Sequence, residues 1–430
     1  MIKTYKLFLK TNDEQKNILF AQSSVANKLY NNLLQLSKEE LDFYSKNNVN
    51  QNFNPFNKYE LRNQVPILKK NKGIYNTLYS SVSKNVAFRL ANALSSFKRT
   101  KHFPKFRSLK VKGFYSLLYE EPFVGYKITN KGINISCGTI LDDNKKKRIK
   151  LELDFEKSFK IDKIKDSVRV VEIVYDKLHK KFALNIVVKL PDVESKAINK
   201  FIAFDPNHKN LMVGYDNNNN VIKFNNLNNI KISDKRIDKL KSKRDKCTKN
   251  SRRYNYLNNI IVNIYKIKRD QIKYYFRTIS NYLCKRYDLI GIGDYVPSKS
   301  DIKNINRVVI NQSNIGELRT TLNNICNRSG KTYYKYNEYR TTKTCHNCKT
   351  VGSSLNPAIR SWQCNSCFMK HDRDENSAKN GLTILSDVFK LPCSGYLVKA
   401  RYTCHFNHRN IVEKQEIKNN NENVISKLCA

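Results

Sequence analysis

Four cysteines have the most specific spacing in the sequence. Cys345 and Cys348 form one Cys-x-x-Cys pair, and Cys364 and Cys367 form a second pair fifteen residues later. Two thiolates that are separated by two residues fit one tight turn, and two such turns supply four soft ligands in a tetrahedron. The spacing therefore predicts a zinc ribbon in which these four side chains bind one structural Zn²⁺.

Acidic residues occur at two further positions where chemistry is common. Asp205 directly follows the apolar run Phe201–Phe204, which predicts a buried strand. Open α/β sheets place their chemistry at the carboxyl ends of central strands, although an aspartate after a strand is also a common turn former. The second acidic segment, His371–Asn380 (HDRDENSAKN), comes shortly after the last cysteine pair. Both segments are candidates for a carboxylate site.

The charge of the chain indicates its class of partner. Its 430 residues include 80 Lys+Arg against 37 Asp+Glu, a formal net charge of +43, and 40% of the residues are hydrophobic. The apolar content excludes a disordered polybasic tail, and the excess of cations predicts a polyanionic partner, by default nucleic acid. A merely soluble basic surface is the alternative. The sequence predicts neither a membrane nor a secreted protein, because no apolar run approaches ~18 residues and the N-terminus lacks a signal-peptide pattern.

Hydrophobic periodicity divides the chain into elements that would position these residues. Apolar residues recur at helical spacing over 25–36 and 78–97, and they alternate with a period of two over 149–153 and in a predicted hairpin at 168–190. The first half therefore predicts a small β domain that a helical segment interrupts, provided that a strand at residues 2–10 pairs with it.

The second half predicts a ribonuclease-H-like fold. In that fold, a mixed sheet has the strand order 3-2-1-4-5. The predicted elements are strands at 201–204, 211–215 and 221–224, long basic helices over 233–287, a strand at 288–292, a helix near 311–328, a strand at 331–336 and a last helix that starts near Asp374.

Several motifs occur together in the second half. They are an apolar strand that ends in D-x-x-x-K-N, a long basic helical stretch, T-x-x-T-C-x-x-C, R-S-W-Q-C-x-x-C and D-R-D-x-N-x-A-x-N. Together they resemble the RuvC domain of TnpB nucleases, the transposon-encoded relatives of type V CRISPR effectors. The resemblance covers residues 200–385, and FPKFRS (103–108) with the split first half is similar to the family's wedge and recognition regions.

The resemblance implies three catalytic carboxylates, of which two match directly. Asp205 matches the first. Of the two aspartates in D-R-D, the resemblance aligns Asp374 with the third position and not Asp372, although Asp374 could instead simply cap the following helix.

The second carboxylate is a departure from the family. Gly293 occupies the position of the family's glutamate, so either the site is inactive or another carboxylate has taken the role. Asp294 would point to the opposite face because side chains alternate along a strand. Glu338 ends the fifth strand, beside the fourth, and can reach the space that Gly293 leaves. A glycine with such a compensating glutamate resembles Fanzor proteins, the eukaryotic and viral relatives of TnpB.

The resemblance also implies a function. It is that of an RNA-guided DNA endonuclease of a mobile element, in which Asp205, Glu338 and Asp374 bind two Mg²⁺ ions. The expected partners are a noncoding guide RNA of the omega type, one protein per guide RNA, and double-stranded target DNA with a short adjacent motif. The expected location is the nucleus in a eukaryotic or viral host and otherwise the cytoplasm.

Two alternatives remain open at this point. One is a nuclease-dead RNA-guided DNA-binding protein that acts as a repressor, which Gly293 favours and Glu338 opposes. The other is a plain zinc-ribbon nucleic-acid-binding protein without a guide.

The predicted fold class is α/β (α+β multidomain). It consists of an RNase-H-like RuvC domain with an inserted zinc ribbon, preceded by a small β-barrel-like wedge domain with a helical insertion. The predicted domains are the wedge over 1–12 and 100–198, a helical recognition domain over 13–99, the RuvC nuclease over 199–342 and 370–392, a zinc ribbon that binds target nucleic acid over 343–369, and a C-terminal tail over 393–430.

Overall fold

The computed structural model describes most of the chain, which forms two compact units, Met1–Pro191 and Asp192–Ala430. None of the helices that it describes combines the length and apolar character needed to cross a bilayer. The described residues are 2–47, 52–142, 145–162, 164–195, 197–207, 210–294, 314–352, 359–392, 395, 397–407 and 410–416.

An antiparallel sheet organises the N-terminal unit. Its strands are β1 (Ile2–Lys10), β2 (Leu117–Tyr119), β3 (Tyr126–Ile128), β4 (Gly132–Asp142), β5 (Lys145–Phe155), β6 (Val168–Asp176) and β7 (Lys181–Lys189). Their spatial order is β2-β6-β7-β1-β5-β4-β3. The pairing of the N-terminal strand with this β domain is confirmed, because Leu7 lies opposite Leu184 and Leu9 lies opposite Phe155.

Helices are inserted between β1 and β2. They are α1 (Asp13–Asn47), α2 (Lys58–Asn71), α3 (Ser80–Thr100) and the short α4 (Leu109–Lys112). The helical periodicity of the sequence is confirmed, since Leu29 and Leu33 of α1 and Val86 and Leu90 of α3 are fully buried. Helices α1 and α3 thus each bury an apolar stripe.

The C-terminal unit contains the predicted mixed sheet. Its strands are β8 (Phe201–Pro206), β9 (Met212–Asp216), β10 (Asn220–Phe224), β11 (Leu289–Gly293), β12 (Thr332–Tyr336), β15 (Ala400–Asn407) and β16 (Asn410–Gln415), with a separate hairpin of β13 (Ser361–Gln363) and β14 (Lys370–Asp372). The order β12-β11-β8-β9-β10-β15-β16 contains the predicted 3-2-1-4-5 arrangement, with β8 as strand 1.

Helices cover both faces of this sheet. They are α5 (Asn228–Asp245), α6 (Arg252–Arg286), α7 (Ile315–Ser329) and α8 (Arg373–Phe389). Strand β8 shows why its sequence is almost entirely apolar: Ile202 and Phe204 enter the core that α6 and α7 help to form, whereas Phe201 and Ala203 enter the core beneath α8. Strand β8 is buried on both faces and lies in the middle of the sheet, so Asp205 lies at the carboxyl end of a central strand.

The prediction of a C-terminal tail over 393–430 is wrong for the described part of that segment. Strand β15 pairs in parallel with β10, and β16 pairs with β15 in antiparallel fashion. The alternation in this stretch is weak, and the strands are stabilised by main-chain pairing with an edge that β10 would otherwise expose. The predicted helix near 311–328 begins at Ile315, and residues 311–313 lie outside the described part of the chain.

Candidate functional site

The four predicted zinc ligands lie together. Their Sγ atoms are all within 4.8 Å of one another. The Sγ atoms of Cys345 and Cys367 are 3.6 Å apart, and those of Cys348 and Cys364 are 3.5 Å apart. Four sulfurs around a zinc ion with Zn–S bonds of about 2.3 Å would be about 3.8 Å apart. The cluster is therefore compatible with a zinc ribbon that binds one structural Zn²⁺.

The two knuckles have the same local backbone. In the first, Lys349 has φ 61° and its amide donates to the Cys345 carbonyl at 2.9 Å. In the second, Phe368 has φ 56° and its amide donates to the Cys364 carbonyl at 3.0 Å. This turn directs the two thiols of each pair to the same side. Hydrogen bonding with Thr350 lowers the pKa of Cys348 to about 6, which favours the thiolate that a metal requires.

Two buried histidines support the first knuckle, and sequence reasoning missed both. His371 Nε2 lies 3.1 Å from Cys345 Sγ, and its ring packs against those of His346 and Trp362, with centroids 4.8 and 4.6 Å away. Burial and the nearby Lys379 ammonium lower the pKa of His346 to about 4, so that its ring is neutral at physiological pH. Both positions flank motif residues, since His346 follows Cys345 and His371 precedes the D-R-D run.

Asp205 is buried at the end of β8, as predicted. Its Oδ1 accepts a hydrogen bond of 2.7 Å from Ser377 on α8. Burial, together with repulsion from Glu338 and Asp374, raises the pKa of Asp205 well above its ordinary value. A buried carboxyl group beside two other acids is more stable when it is protonated or when a cation is bound to it.

Glu338 reaches the position that Gly293 leaves open. It follows β12, in which Tyr336 is paired with Gly293. A Cβ atom built on Gly293 would overlap the Glu338 carboxylate, so this side chain fills the space above the glycine. Asp294 does not lie apart from this arrangement, because its Oδ1 accepts a hydrogen bond of 3.1 Å from the Glu338 amide. Asp294 therefore holds the backbone of the residue whose carboxylate fills the space above Gly293.

Asp374 lies on the first turn of α8 but does not cap it. The helix cap is Asp372, whose Oδ1 accepts from the amides of Asp374 and Glu375 at 3.0 Å. The capping interpretation of Asp374 is therefore wrong. Its carboxylate instead binds Arg360 Nη1 at 2.9 and 2.8 Å and accepts from Asn207 Nδ2 at 3.2 Å. Burial raises the pKa of Asp374, and the Arg360 guanidinium opposes that rise.

The three carboxylates converge less tightly than the cysteines. Asp205 lies within electrostatic range of Glu338 and Asp374. Among the residues that the structure describes, however, the cysteines are the set whose ligand atoms all lie within 4.8 Å. The structure thus brings the predicted carboxylates to one edge of the sheet, with Arg360 and Ser377 already bound to two of them.

Two asparagines connect the ribbon to the helix that carries Asp374. Asn376 Oδ1 accepts from the His346 amide at 3.0 Å, and its Nδ2 donates to the carbonyls of Thr344 at 2.8 Å and Thr341 at 3.3 Å. Asn380 Nδ2 donates to the same two carbonyls at 2.9 Å (Thr341) and 2.7 Å (Thr344). These bonds define an asparagine clamp, Asn376 and Asn380, which holds the segment before Cys345 against α8.

The C-terminal strands also contact the start of α8. Arg401 on β15 donates from Nε and Nη2 to both carboxylate oxygens of Glu375 at 3.1 Å, and Lys223 Nζ on β10 lies 3.2 Å from Glu375 Oε1. Burial alone would raise the pKa of Glu375, but these two cations lower it. The residue next to Asp374 is therefore fixed as a buried anion.

Comparisons with known proteins agree with the motifs. Residues 316–381 match a family described as Cas12f1-like, TNB domain. The chain is 31% identical over 205 residues to Putative transposase R186 of Acanthamoeba polyphaga mimivirus, and 28% identical over 236 residues to TnpB-like protein L79 of the same virus. These matches span 46% and 50% of the chain, but only 39% and 43% of the two relatives.

The fold has a solved counterpart. A Cas12f1 chain from a complex with sgRNA and target DNA superposes with a TM-score of 0.61, covering 88% of this chain and 98% of that chain at 12% identity. At that identity the likeness shows the fold. The chain is thus similar to Cas12f1 in its fold and to TnpB-like viral proteins in its sequence, and the resemblance to TnpB that its motifs predicted is confirmed.

Proposed function

We propose that the protein is an RNA-guided DNA endonuclease of a mobile element, with a RuvC-type site formed by Asp205, Glu338 and Asp374. The observation that carries this proposal is the position of the Glu338 carboxylate, which fills the space above Gly293. Gly293 ends strand β11, and β11 is the neighbour of β8, which contains Asp205. A carboxylate at the position of the family's glutamate is expected in a functional site and is not required in an inactive one. The same substitution, together with the mimivirus relatives, supports the narrower assignment to the Fanzor group.

The carboxylates fit divalent cations. Asp205 is buried and is repelled by two neighbouring acids, and such a cluster ionises fully when cations neutralise it. Asp205, Glu338 and Asp374 would hold two Mg²⁺ ions, which supply an activated water and stabilise the leaving oxygen of a phosphodiester. The chain's own residues position the ligands: Ser377 orients Asp205, and Arg360 with Asn207 holds Asp374.

The charge of the protein supports nucleic-acid partners. Helix α6 alone contains nine Lys or Arg residues and a single acid, Asp270. The partners in this proposal are a noncoding guide RNA of the omega type, one protein per guide, and double-stranded DNA with a short adjacent motif. The zinc ribbon would bind the target nucleic acid, and the nucleus of a eukaryotic or virus-infected cell is the proposed location. Binding that depends on phosphates would weaken steeply as salt rises.

A specific observation also favours the second candidate, a nuclease-dead RNA-guided binder that acts as a repressor. Both carboxylate oxygens of Asp374 are bound by Arg360. A guanidinium that neutralises a ligand competes with a metal ion for it. Both candidate functions require a guide RNA, but only the first includes cleavage of the DNA.

The test begins with the RNA that copurifies with the full-length protein. This RNA is sequenced, and a DNA duplex complementary to its variable end is offered with Mg²⁺. We expect Glu338→Gln to lower the cleavage rate by on the order of 10³-fold or more without changing guided binding, because the amide keeps the shape and loses the charge.

The matched control is Glu317→Gln, on the first turn of α7, where the carboxylate accepts from Asn314. It should cleave at the wild-type rate. Loss of cleavage in Glu317→Gln with full activity in Glu338→Gln would refute the assignment of Glu338. A wild-type protein that binds the guided duplex and leaves it intact would establish the repressor.

A further inference from the structure

A rigid loop in the N-terminal unit presents an aromatic side chain to solvent. The loop, residues 101–108, joins α3 to α4 and is anchored to α1 by two asparagines. Asn27 and Asn31 donate from Nδ2 to the Arg107 carbonyl at 2.9 and 3.0 Å, and Asn31 Oδ1 accepts from the Arg107 amide at 2.8 Å. The loop is therefore held in place, and Phe106 at its tip is nevertheless 56% exposed.

Phe106 lines two cavities. Pro104, Lys105 and Phe106 line both a cavity of about 740 Å³ and a second cavity of about 300 Å³. A partly exposed ring in the wall of both cavities is available to a planar ligand. The first cavity is also lined by Arg89, Arg107, Tyr30 and Tyr115, and the second by Lys38, Leu34 and Phe103.

The lining of both cavities is cationic. It includes three cations in the first and two in the second, with Lys105 common to both, and no carboxylate occurs among the lining residues. Arg89 and Arg107 lie over the Tyr115 ring, at 5.2 and 4.9 Å from its centroid. Arg107 Nη2 donates to the Phe114 carbonyl at 3.3 Å, which fixes this guanidinium in the wall of the first cavity.

We propose that Phe106 is the stacking residue of a subsite for an unstacked nucleotide. The base would lie on the Phe106 ring, and Lys105 and Arg107 would neutralise the adjoining phosphate. An exposed ring beside fixed cations is the arrangement that binds single-stranded nucleic acid without hydrogen-bond readout of its sequence. The inference rests on the proposed function only in that the nucleotide belongs to a bound guide RNA or target DNA.

The experiment measures binding and not cleavage, so its outcome does not depend on whether the protein is an active nuclease. Full-length protein freed of RNA is titrated with labelled dT₁₀, U₁₀ and an abasic decamer with the same phosphates. We expect Phe106→Ala to weaken binding of the base-containing decamers about 5- to 100-fold and to leave abasic binding unchanged. Phe106→Trp should restore binding, whereas Lys105→Ala should weaken all three decamers.

The control is Phe43→Ala, an exposed phenylalanine on α1, which should bind like wild type. Repeating the dT₁₀ titration after the protein is loaded with its copurifying RNA identifies the source of the nucleotide. If the RNA occupies the subsite, loading removes the effect of Phe106→Ala; if target DNA occupies it, the effect persists. Equal binding by Phe106→Ala and wild type, an equal loss on the abasic decamer, or failure of Phe106→Trp to restore binding would each overturn the proposal.

Discussion

The cysteine cluster and the carboxylate cluster are two candidate metal sites assembled in opposite ways. The cysteines come from two local turns with the same backbone, within the segment from Cys345 to Cys367. The carboxylates come from different elements, and the hydrogen bond between Asp205 and Ser377 joins residues 172 positions apart. A local site can be recognised from spacing, whereas a distributed site exists only because the sheet has one particular strand order.

The two sites also differ in their spacing and in their protein partners. The sulfurs lie within 4.8 Å of one another, and the His371 ring lies beside Cys345. The carboxylates are more widely spaced, and Asp374 is bound by the guanidinium of Arg360. Under the proposed function, a metal ion on the cysteines would mainly stabilise the fold, whereas metal ions on the carboxylates would mainly serve chemistry. The following predictions test that difference.

The largest effect is expected for Cys364→Ser. Structural zinc in small cysteine sites contributes apparent binding energies of about 10 kcal/mol or more, so loss of one thiolate should leave the ribbon without metal and unfolded. We expect the zinc content per chain to fall from about one to near zero, together with loss of guided cleavage. Cys247→Ser, outside the cluster, is the control and should retain its zinc. Full zinc occupancy in Cys364→Ser would contradict the four-thiolate site.

An intermediate effect is expected at Gly293. Because any side chain there overlaps the Glu338 carboxylate, Gly293→Ala should displace Glu338 and lower guided cleavage by about 10²-fold, while zinc content stays unchanged. The double variant Gly293→Glu with Glu338→Ala moves the carboxylate back to strand β11 and should recover part of the rate. Gly316→Ala is the control, since nothing lies within 4 Å of its Cβ. Wild-type cleavage by Gly293→Ala would show that Glu338 does not need that space.

The smallest effect is expected for the asparagine clamp. Asn376→Ala leaves the His346 amide and two carbonyls with fewer partners, which costs about 1–3 kcal/mol for each buried group left unsatisfied. We expect the melting temperature to fall by several degrees and the zinc content to remain near one. Ser386→Ala on the same helix is the control, because its buried hydroxyl has no hydrogen-bond partner among the described residues. Loss of zinc in Asn376→Ala would mean that the two sites are not separable.

What the sequence predicts correctly is what depends on local spacing or on element order. The cysteine pairs predict their cluster because each knuckle is a single turn. The strand order follows because the succession of strands and helices matches the ribonuclease-H-like fold, in which that order is known. Capping by Asp374, the alternative to its catalytic role, is wrong because Asp372 caps α8. The two aspartates have equal capping chemistry, and only the backbone at the helix start distinguishes them. Arg360, Ser377 and His371 were missed because their roles arise from contacts between distant segments. Residue types alone carry no signal for such contacts.

The pairing of β15 with β10 has a consequence for how the protein is made. Arg401, on β15, fixes Glu375 beside Asp374, and β10 has no second neighbour until β15 pairs with it. During synthesis, the chain from β8 to β14 therefore leaves the ribosome with an open sheet edge, and Glu375 at the start of α8 still lacks its Arg401 partner. Completion of this sheet is delayed until translation has passed residue 404. A nascent chain that is halted before that point would keep both cysteine turns, but the start of the helix that carries Asp374 would be incompletely fixed.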